Sequence, residues 1–294
     1  MAVPAFVCTE YAPSPALRPY VCSYGHFVSA SAHPVGGLRP DFNGRGRRGV
    51  FYECDPLVEL APPSGHLTLC FNLGDPFTFS NGFGRSELRG SGHLTGALSR
   101  RAKMELGRRV ELFGVVFRPG RARAFLGFPT DLVTDRFTPL EDLWGREGRA
   151  LELELQEIPT LAGKIRRLEQ ALLRRLSRAP SSDAGLEAML DFIGRRRGRI
   201  SVEWLSGASG ISRQHLARKF RQTVGIGPKF FCRVVRFQAM LGEAYRRPLN
   251  WAAAAADYGY YDQAHLISEF KEFTGLTPGQ FFRPLFHASA IAAD

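Results

Sequence analysis

Arg213, Gln214 and Arg218, with Ala217 among them, lie on one side of a stretch whose other side carries Leu216, Phe220 and Val224. Apolar residues recurring at i, i+4 and i+8 form the buried stripe of a helix, which turns the polar set toward water. The chemistry available to that set is hydrogen bonding rather than bond-making. Arginine can bond guanine through two donors at once, and glutamine can bond adenine in the same bidentate way. A second stretch places Gln263, Ala264, Ile267, Ser268 and Lys271 opposite Leu266, Phe270 and Phe273. It offers the same geometry with weaker hydrogen-bond donors.

The elements that must position these side chains are written twice. At one offset of fifty residues His215/His265, Leu216/Leu266, Phe220/Phe270, Gly225/Gly275, Pro228/Pro278 and Phe231/Phe281 are identical, and Ser212/Asp262 and Arg221/Lys271 are conservatively matched. Such a duplication means two copies of one supersecondary unit. In the first copy Ser201 can N-cap a short helix that turns Val202 and Leu205 inward. Gly207, Ser209 and Gly210 then break it, and Ser212 caps a second helix. Two short helices joined by a glycine-containing turn form a helix-turn-helix. Gly225 stands where a C-terminal stop belongs, and Pro228 opens the next helix. In the second copy Trp251 to Ala256 supply the first helix, Gly259 the turn and Asp262 the N-cap. Lys229 to Arg247 read as one connecting helix with Phe231, Val234, Val235, Phe237 and Leu241 among its apolar positions; at about 1.5 Å per residue it spans roughly 27 Å. Such a spacer suits two recognition helices in successive major-groove segments about 34 Å apart. His215 and His265 each precede a buried leucine and read as scaffold or phosphate-adjacent groups, not as base readers.

Residues from about Gly185 to Phe286 resemble the DNA-binding domain of the AraC/XylS family of bacterial transcription regulators. The run from Gly259 to Pro278 is similar to that family's signature over its whole length. The resemblance implies a seven-helix domain with two helix-turn-helix units. It assigns base contacts to Arg213, Gln214, Ala217 and Arg218 in the first unit and to Gln263, Ala264 and Ser268 in the second. Ser268 stands where the family often has a large basic residue. Ser212, Arg221, Lys229, Arg233, Arg236 and Lys271 are the expected contacts to the DNA backbone, which fix register rather than specificity. Arg195-Arg196-Arg197-Gly198-Arg199 reads either as a solvated connector or as a further backbone contact. The resemblance further implies double-stranded promoter or operator DNA as partner, together with RNA polymerase, a small-molecule effector and a homodimeric partner. Activation is the commoner outcome in that family.

Charge agrees with a polyanionic partner. Of the +11 formal charge, +10 falls within residues 160–294 and +1 within residues 1–159. A localised basic field attracts and holds nucleic acid through counterion release. The 294 residues suffice for two domains with their own cores. No apolar run is long enough for a membrane span, and MAVPAFVCTE lacks the pattern of a signal peptide, so a cytoplasmic protein without membrane contact is expected. Five cysteines at 8, 22, 54, 70 and 232, without a Cys-x-x-Cys pair, predict free, partly buried thiols rather than disulfides or a zinc ribbon.

The fold class expected is α+β in two domains. Residues 1–158 form a mainly β barrel or sandwich, 159–183 an amphipathic helix and linker, and 184–294 the all-α DNA-binding domain. In the first of these, Leu67, Leu69, Phe71 and Leu73 alternate onto one face of a strand, and Val110 to Phe117 is a second strand candidate. Gly36 to Gly49, rich in Gly and Arg, reads as an exposed loop. Leu17–Val21, Pro63–Pro76 and Phe113–Gly120 resemble the amino-terminal domain of one subgroup of the same regulators, where a cupin-like barrel senses an effector, dimerises, or both. Tyr24, His26, Phe71, Asn72 and Phe117 could line an effector pocket or simply pack the core. His26, His33, His66 and His93 are scattered and form no His-x-His pair. Together with the lack of a G-x-S-x-G elbow, a P-loop and a dinucleotide fingerprint, this assigns no catalytic residue, metal or cofactor and predicts a non-enzyme. Two other readings stay open: a non-specific nucleoid-type DNA-binding protein, and an enzyme domain fused to a DNA-binding module. In the segment Pro159–Leu176, residues Leu161, Ile165, Leu168, Leu172 and Leu176 make one helical face, to be used as a dimer seam or packed on the barrel. Ala179 to Asp183 comes next as linker.

Overall fold

The alternation at Leu67–Leu73 becomes a strand in which Leu69 and Phe71 are buried and the residues between them are half-buried. That pattern is what a strand with one face on a core requires. Further strands follow through the first half of the chain in the computed structural model, which describes residues 5–30, 38–40, 46–48, 57–81, 84–88, 92–107, 109–179 and 181–282. In chain order the strands are β1 (Ala5–Tyr11), β2 (Val21–Ala30), β3 (Leu38–Pro40), β4 (Gly46–Arg48), β5 (Leu57–Ala61) and β6 (Thr68–Asn72). They continue as β7 (Phe77–Asn81), β8 (Gly84–Leu88), β9 (Gly92–Thr95), β10 (Ala102–Leu106), β11 (Glu111–Phe117) and β12 (Phe137–Pro139).

Strands β1-β2-β11-β6-β9-β12 pair, in that order, into a six-stranded antiparallel sheet, and β5-β10-β7-β8 into a four-stranded one. Among the described residues no ladder joins the two sheets, so the architecture is a sandwich and not a closed barrel. β3 and β4 pair as a hairpin inside the segment expected to be a loop. The expectation of a loop throughout Gly36–Gly49 is corrected to that extent: backbone pairing needs no apolar alternation. The remaining residues of the segment, and its exposure, lie outside the described residues.

The helices are α1 (Arg123–Leu126), α2 (Leu140–Trp144), α3 (Arg146–Glu157), α4 (Leu161–Leu176), α5 (Ala184–Arg195), α6 (Val202–Ser209), α7 (Arg213–Val224), α8 (Pro228–Ala244), α9 (Trp251–Tyr258) and α10 (Gln263–Thr274). α4 starts where Thr160 Oγ1 accepts from the Gly163 amide at 3.2 Å, and Leu168 and Leu172 are fully buried. It packs on α1 and α3, and Glu169 accepts from the Ser14 amide at 2.8 Å. Of the two roles open to this helix, its apolar stripe takes intrachain packing. Asp183, at the end of the expected linker, caps α5 through the Leu186 amide at 3.0 Å and accepts from Lys219 on α7 at 2.6 Å. The linker is therefore anchored to the helical half at its far end.

The buried side chains of the two halves run into one another. Tyr24, Phe71 and Phe117 from the sheet, Leu172 from α4, and Phe220, Phe231 and Phe237 from the helical half belong to one contiguous cluster. A smaller cluster of Phe77, Phe79, Leu98, Ala102, Leu106 and Val110 lies against the four-stranded sheet. Cys22, Cys70 and Cys232 are free thiols; the side chains of Cys8 and Cys54 lie outside the described residues. No helix among the described residues is long and apolar enough to cross a membrane.

Candidate nucleic-acid interface

Each half of the duplication folds as two short helices around a tight turn. α6 ends at Gly210, whose φ of 67° is the left-handed region, and α9 ends at Gly259 with φ 73°. Only a residue without a Cβ adopts this conformation at little cost, so glycine fixes the turn. The second helix of each unit is then capped as its sequence requires. Ser212 Oγ accepts from the His215 amide at 3.3 Å, and Asp262 Oδ1 from the His265 amide at 2.7 Å. Asn250 Oδ1 caps α9 through the Ala252 and Ala253 amides at 3.0 and 3.1 Å. Sequence reading missed this cap, although Asn immediately before an apolar helical run is a recognised signal. Ser212→Ala and Asp262→Ala should each lower stability by about 1 kcal/mol, read as a drop in thermal midpoint. A loss confined to DNA affinity, with stability unchanged, would contradict a capping role.

α7 and α10 each have 12 residues. Leu216 and Phe220, and Leu266 and Phe270, are fully buried. On the outer face of α7, Arg213, Gln214, Arg218 and Arg221 are exposed and Ala217 is half-buried; on α10, Gln263, Ala264, Ser268 and Lys271 are exposed. Arg213 makes one loose contact with Glu203 at 3.4 Å, between two exposed groups, which is worth little. His265 is exposed and its Nδ1 accepts from the Tyr261 amide at 3.3 Å; its ring stands edge-on to Tyr260 at 5.4 Å. It braces the turn entering α10, consistent with a scaffold role. Tyr261, which no pattern in the sequence singles out, is 91 % exposed beside that N-terminus.

The two units are spaced by α8, whose 17 residues span about 26 Å. Its cations are largely engaged within the domain. Arg233 Nε donates to Glu269 at 2.7 Å and Arg233 Nη2 to Glu272 at 2.6 Å, while Arg236 Nη2 reaches Glu269 at 3.3 Å. The Arg236 guanidinium also lies 4.5 Å above the Tyr260 ring. Both arginines were expected at phosphates; here their charge is offset by carboxylates of α10. Arg233/Arg236 and Glu269/Glu272 each fall at i, i+3 on one row of their helix, but only the packing of α8 on α10 brings the two rows together. Lys229 is exposed. A groove of about 1220 Å3 brings Arg213, Gln214, Ala217 and Arg221 of α7 together with Lys229, Arg233 and Arg236 of α8 and His265 of α10. Arg218, Gln263, Ala264, Ser268 and Lys271 lie outside that groove.

The sandwich touches the far ends of both recognition helices. Thr134 Oγ1 donates to the Gly225 carbonyl at 2.8 Å. A Cβ on Gly225 would come within 2.6 Å of that hydroxyl and 3.0 Å of Ala97, and one on Gly275 within 2.6 Å of the Arg101 guanidinium. Gly225 also has φ 94°. Gly225→Ala should therefore cost at least about 2 kcal/mol, from the left-handed backbone and the lost contact together. Urea denaturation measures it; a cost below about 0.5 kcal/mol would show that the sandwich does not seat on α7 as described.

Two N-capped helices held at a fixed separation, each with a polar outer face in a basic half of the chain, define a double helix-turn-helix domain. A helix-turn-helix family model matches residues 205–284, and a domain of unknown function (DUF6597) matches residues 51–139. An uncharacterised HTH-type transcriptional regulator of Haemophilus influenzae is 30% identical over 80 residues, which span 27% of this chain and 27% of that protein. ToxT of Vibrio cholerae is 12% identical with a TM-score of 0.44, over 76% of this chain and 96% of ToxT. The AraC-like activator CuxR is 12% identical with a TM-score of 0.27, over 75% of this chain and 76% of CuxR. The helical half of the chain contains a helix-turn-helix domain, and the chain shares about a quarter of the length of the curated regulator it matches.

Proposed function

We propose that this protein is a sequence-specific DNA-binding transcription regulator whose β-rich half, residues 1–158, adjusts the DNA-binding or polymerase-contacting state of the helical half, residues 184–294. The observation that carries the reading is the pair α7 and α10: two capped helices of equal length whose outer faces are exposed and whose separation is set by α8. Arg213, Gln214 and Arg218 can read base edges from α7. The outer face of α10 offers Gln263, Ala264 and Ser268 and one cation, Lys271, so the first unit is the stronger reader and the second grips more than it reads. Activation at a promoter, contact with RNA polymerase and a homodimeric state are the family-level parts of the proposal.

Selection of bound duplexes from a random pool at near-physiological salt tests it. The expected result is an enriched motif of two blocks about one helical turn apart, the sharper one belonging to α7. Binding without enrichment would replace this reading with a non-specific nucleoid-type one.

A further inference from the structure

The run Arg195–Arg199 left two roles open, and its folded shape is one that a solvated connector does not need. α5 ends in a Schellman turn, in which the Gly198 amide donates to the Ile193 carbonyl at 2.9 Å and the Arg197 amide to the Gly194 carbonyl at 3.0 Å. The left-handed position of such a turn is usually a glycine; here it is Arg197, with φ 52°. Gly198 follows with φ 71°, and a Cβ there would collide with the Cys232 carbonyl and the Arg236 amide of α8. A bulky residue in the left-handed region is strained. Such strain persists where the surroundings over-determine it, and it gathers at functional sites.

The turn sits on the side of α8 away from the sandwich. Gln238 faces the sandwich, donating to the Pro63 carbonyl at 3.0 Å, and Arg236 lies about 200° around the helix from it. Gly198 and Ile200 line the groove that also holds Arg213 and Gln214 of α7 and His265 of α10. Arg199 crosses to the second unit, where its Nη1 donates to the Asp257 carbonyl in the last turn of α9 at 3.0 Å. The turn therefore lies between the two recognition helices. Arg195, Arg196 and Arg197 are exposed, and the first two lie over the Phe192 ring at 6.0 and 5.4 Å. No carboxylate pairs with any of the three among the described residues.

Two recognition helices one helical turn apart on one side of a duplex leave a minor groove facing the protein midway between them. We propose that the turn at Arg197 and Gly198 meets the DNA between the two major-groove segments, the Arg197 guanidinium entering the inward-facing minor groove between its phosphates. Arginine is drawn most strongly where A·T tracts narrow that groove and deepen its negative potential. The spacer between the two blocks is then read by shape, without a base-specific hydrogen bond. Arg199 is a positioning residue, because its bond to Asp257 holds the turn against the second unit. The inference rests on the DNA-binding reading of α7 and α10.

Titrations of the full chain against two duplexes test it; both keep the selected blocks, and they differ only in the spacer, an A·T tract or alternating G·C. The A·T spacer should bind at least about threefold more tightly. Arg197→Gly should remove that preference, weaken binding to the A·T duplex about fivefold at near-physiological salt and lower the salt slope by about one, as one lost phosphate contact requires. Its thermal midpoint should hold or rise, since glycine relaxes the left-handed position, so the lost affinity could not come from unfolding. Arg174→Ala removes one exposed cation from α4; it is the charge control and should leave the preference and the slope unchanged. A preference that survives Arg197→Gly, indifference of the wild-type chain to the spacer, or an equal loss in Arg174→Ala would each overturn the proposal and leave the DNA-binding reading standing. Failure to bind any two-block duplex would overturn both.

Discussion

Glu269→Gln should destabilise the helical half by about 3 kcal/mol, the low end of the cost of removing one partner from a buried ion pair. Glu269 is 2 % exposed and accepts from both Arg233 and Arg236, whose side chains are only 27% and 16% exposed. Without the carboxylate, two guanidiniums face each other with little water to replace it. Their partial exposure keeps the cost at the low end. Glu272→Gln is the control: its carboxylate is 56% exposed, so the cost should stay within about 1 kcal/mol. Urea unfolding monitored by helical circular dichroism compares the two. Equal, small effects would mean that α8 is held to α10 by its aromatic contacts, Phe237 on Phe270 and Phe273, and not by charge. Because the same carboxylate fixes the spacer against the second unit, the variant should also blur the spacing between the two blocks of an enriched motif.

Arg218→Ala should reduce affinity for the selected duplex by about 1–3 kcal/mol and relax the preference at one base position, while Arg221→Ala should weaken all duplexes alike and lower the salt slope by about one. Both arginines are exposed on α7, but they stand three residues apart and lie differently with respect to the groove, which includes Arg221 and excludes Arg218. Titrations of the selected and a scrambled duplex at several salt concentrations separate the two. Should both variants lose affinity by the same factor on both duplexes, Arg218 contacts phosphate and the reading of bases passes to Arg213 and Gln214.

Much of the helical half was legible residue by residue. Ser201, Ser212 and Asp262 each cap the helix that begins after them, and Gly225 and Gly275 end α7 and α10 in the left-handed region. Caps and stops are local: a side-chain oxygen and the amide three residues on, or a φ that only glycine adopts cheaply, need no distant partner. The first helix of the first unit ran further than expected, through Gly207 to Ser209, because one glycine costs a helix only about 1 kcal/mol. Arg233 and Arg236 were less legible, since an exposed cation for phosphate and a cation for a neighbouring helix look alike until that helix is placed.

Sequence alone determined the double helix-turn-helix, its outer faces and the concentration of charge in residues 160–294, since each arises from period, cap and composition within a few turns of chain. Only the tertiary structure decided which cations are paired within the domain, that the sandwich seats on Gly225 and near Gly275, and that Gln238 of α8 donates to the Pro63 carbonyl. Those outcomes depend on residues 36 to 175 positions apart, such as Arg233 with Glu269 and Pro63 with Gln238. No local pattern specifies such pairs; burial does, by removing the water that would otherwise satisfy each group by itself.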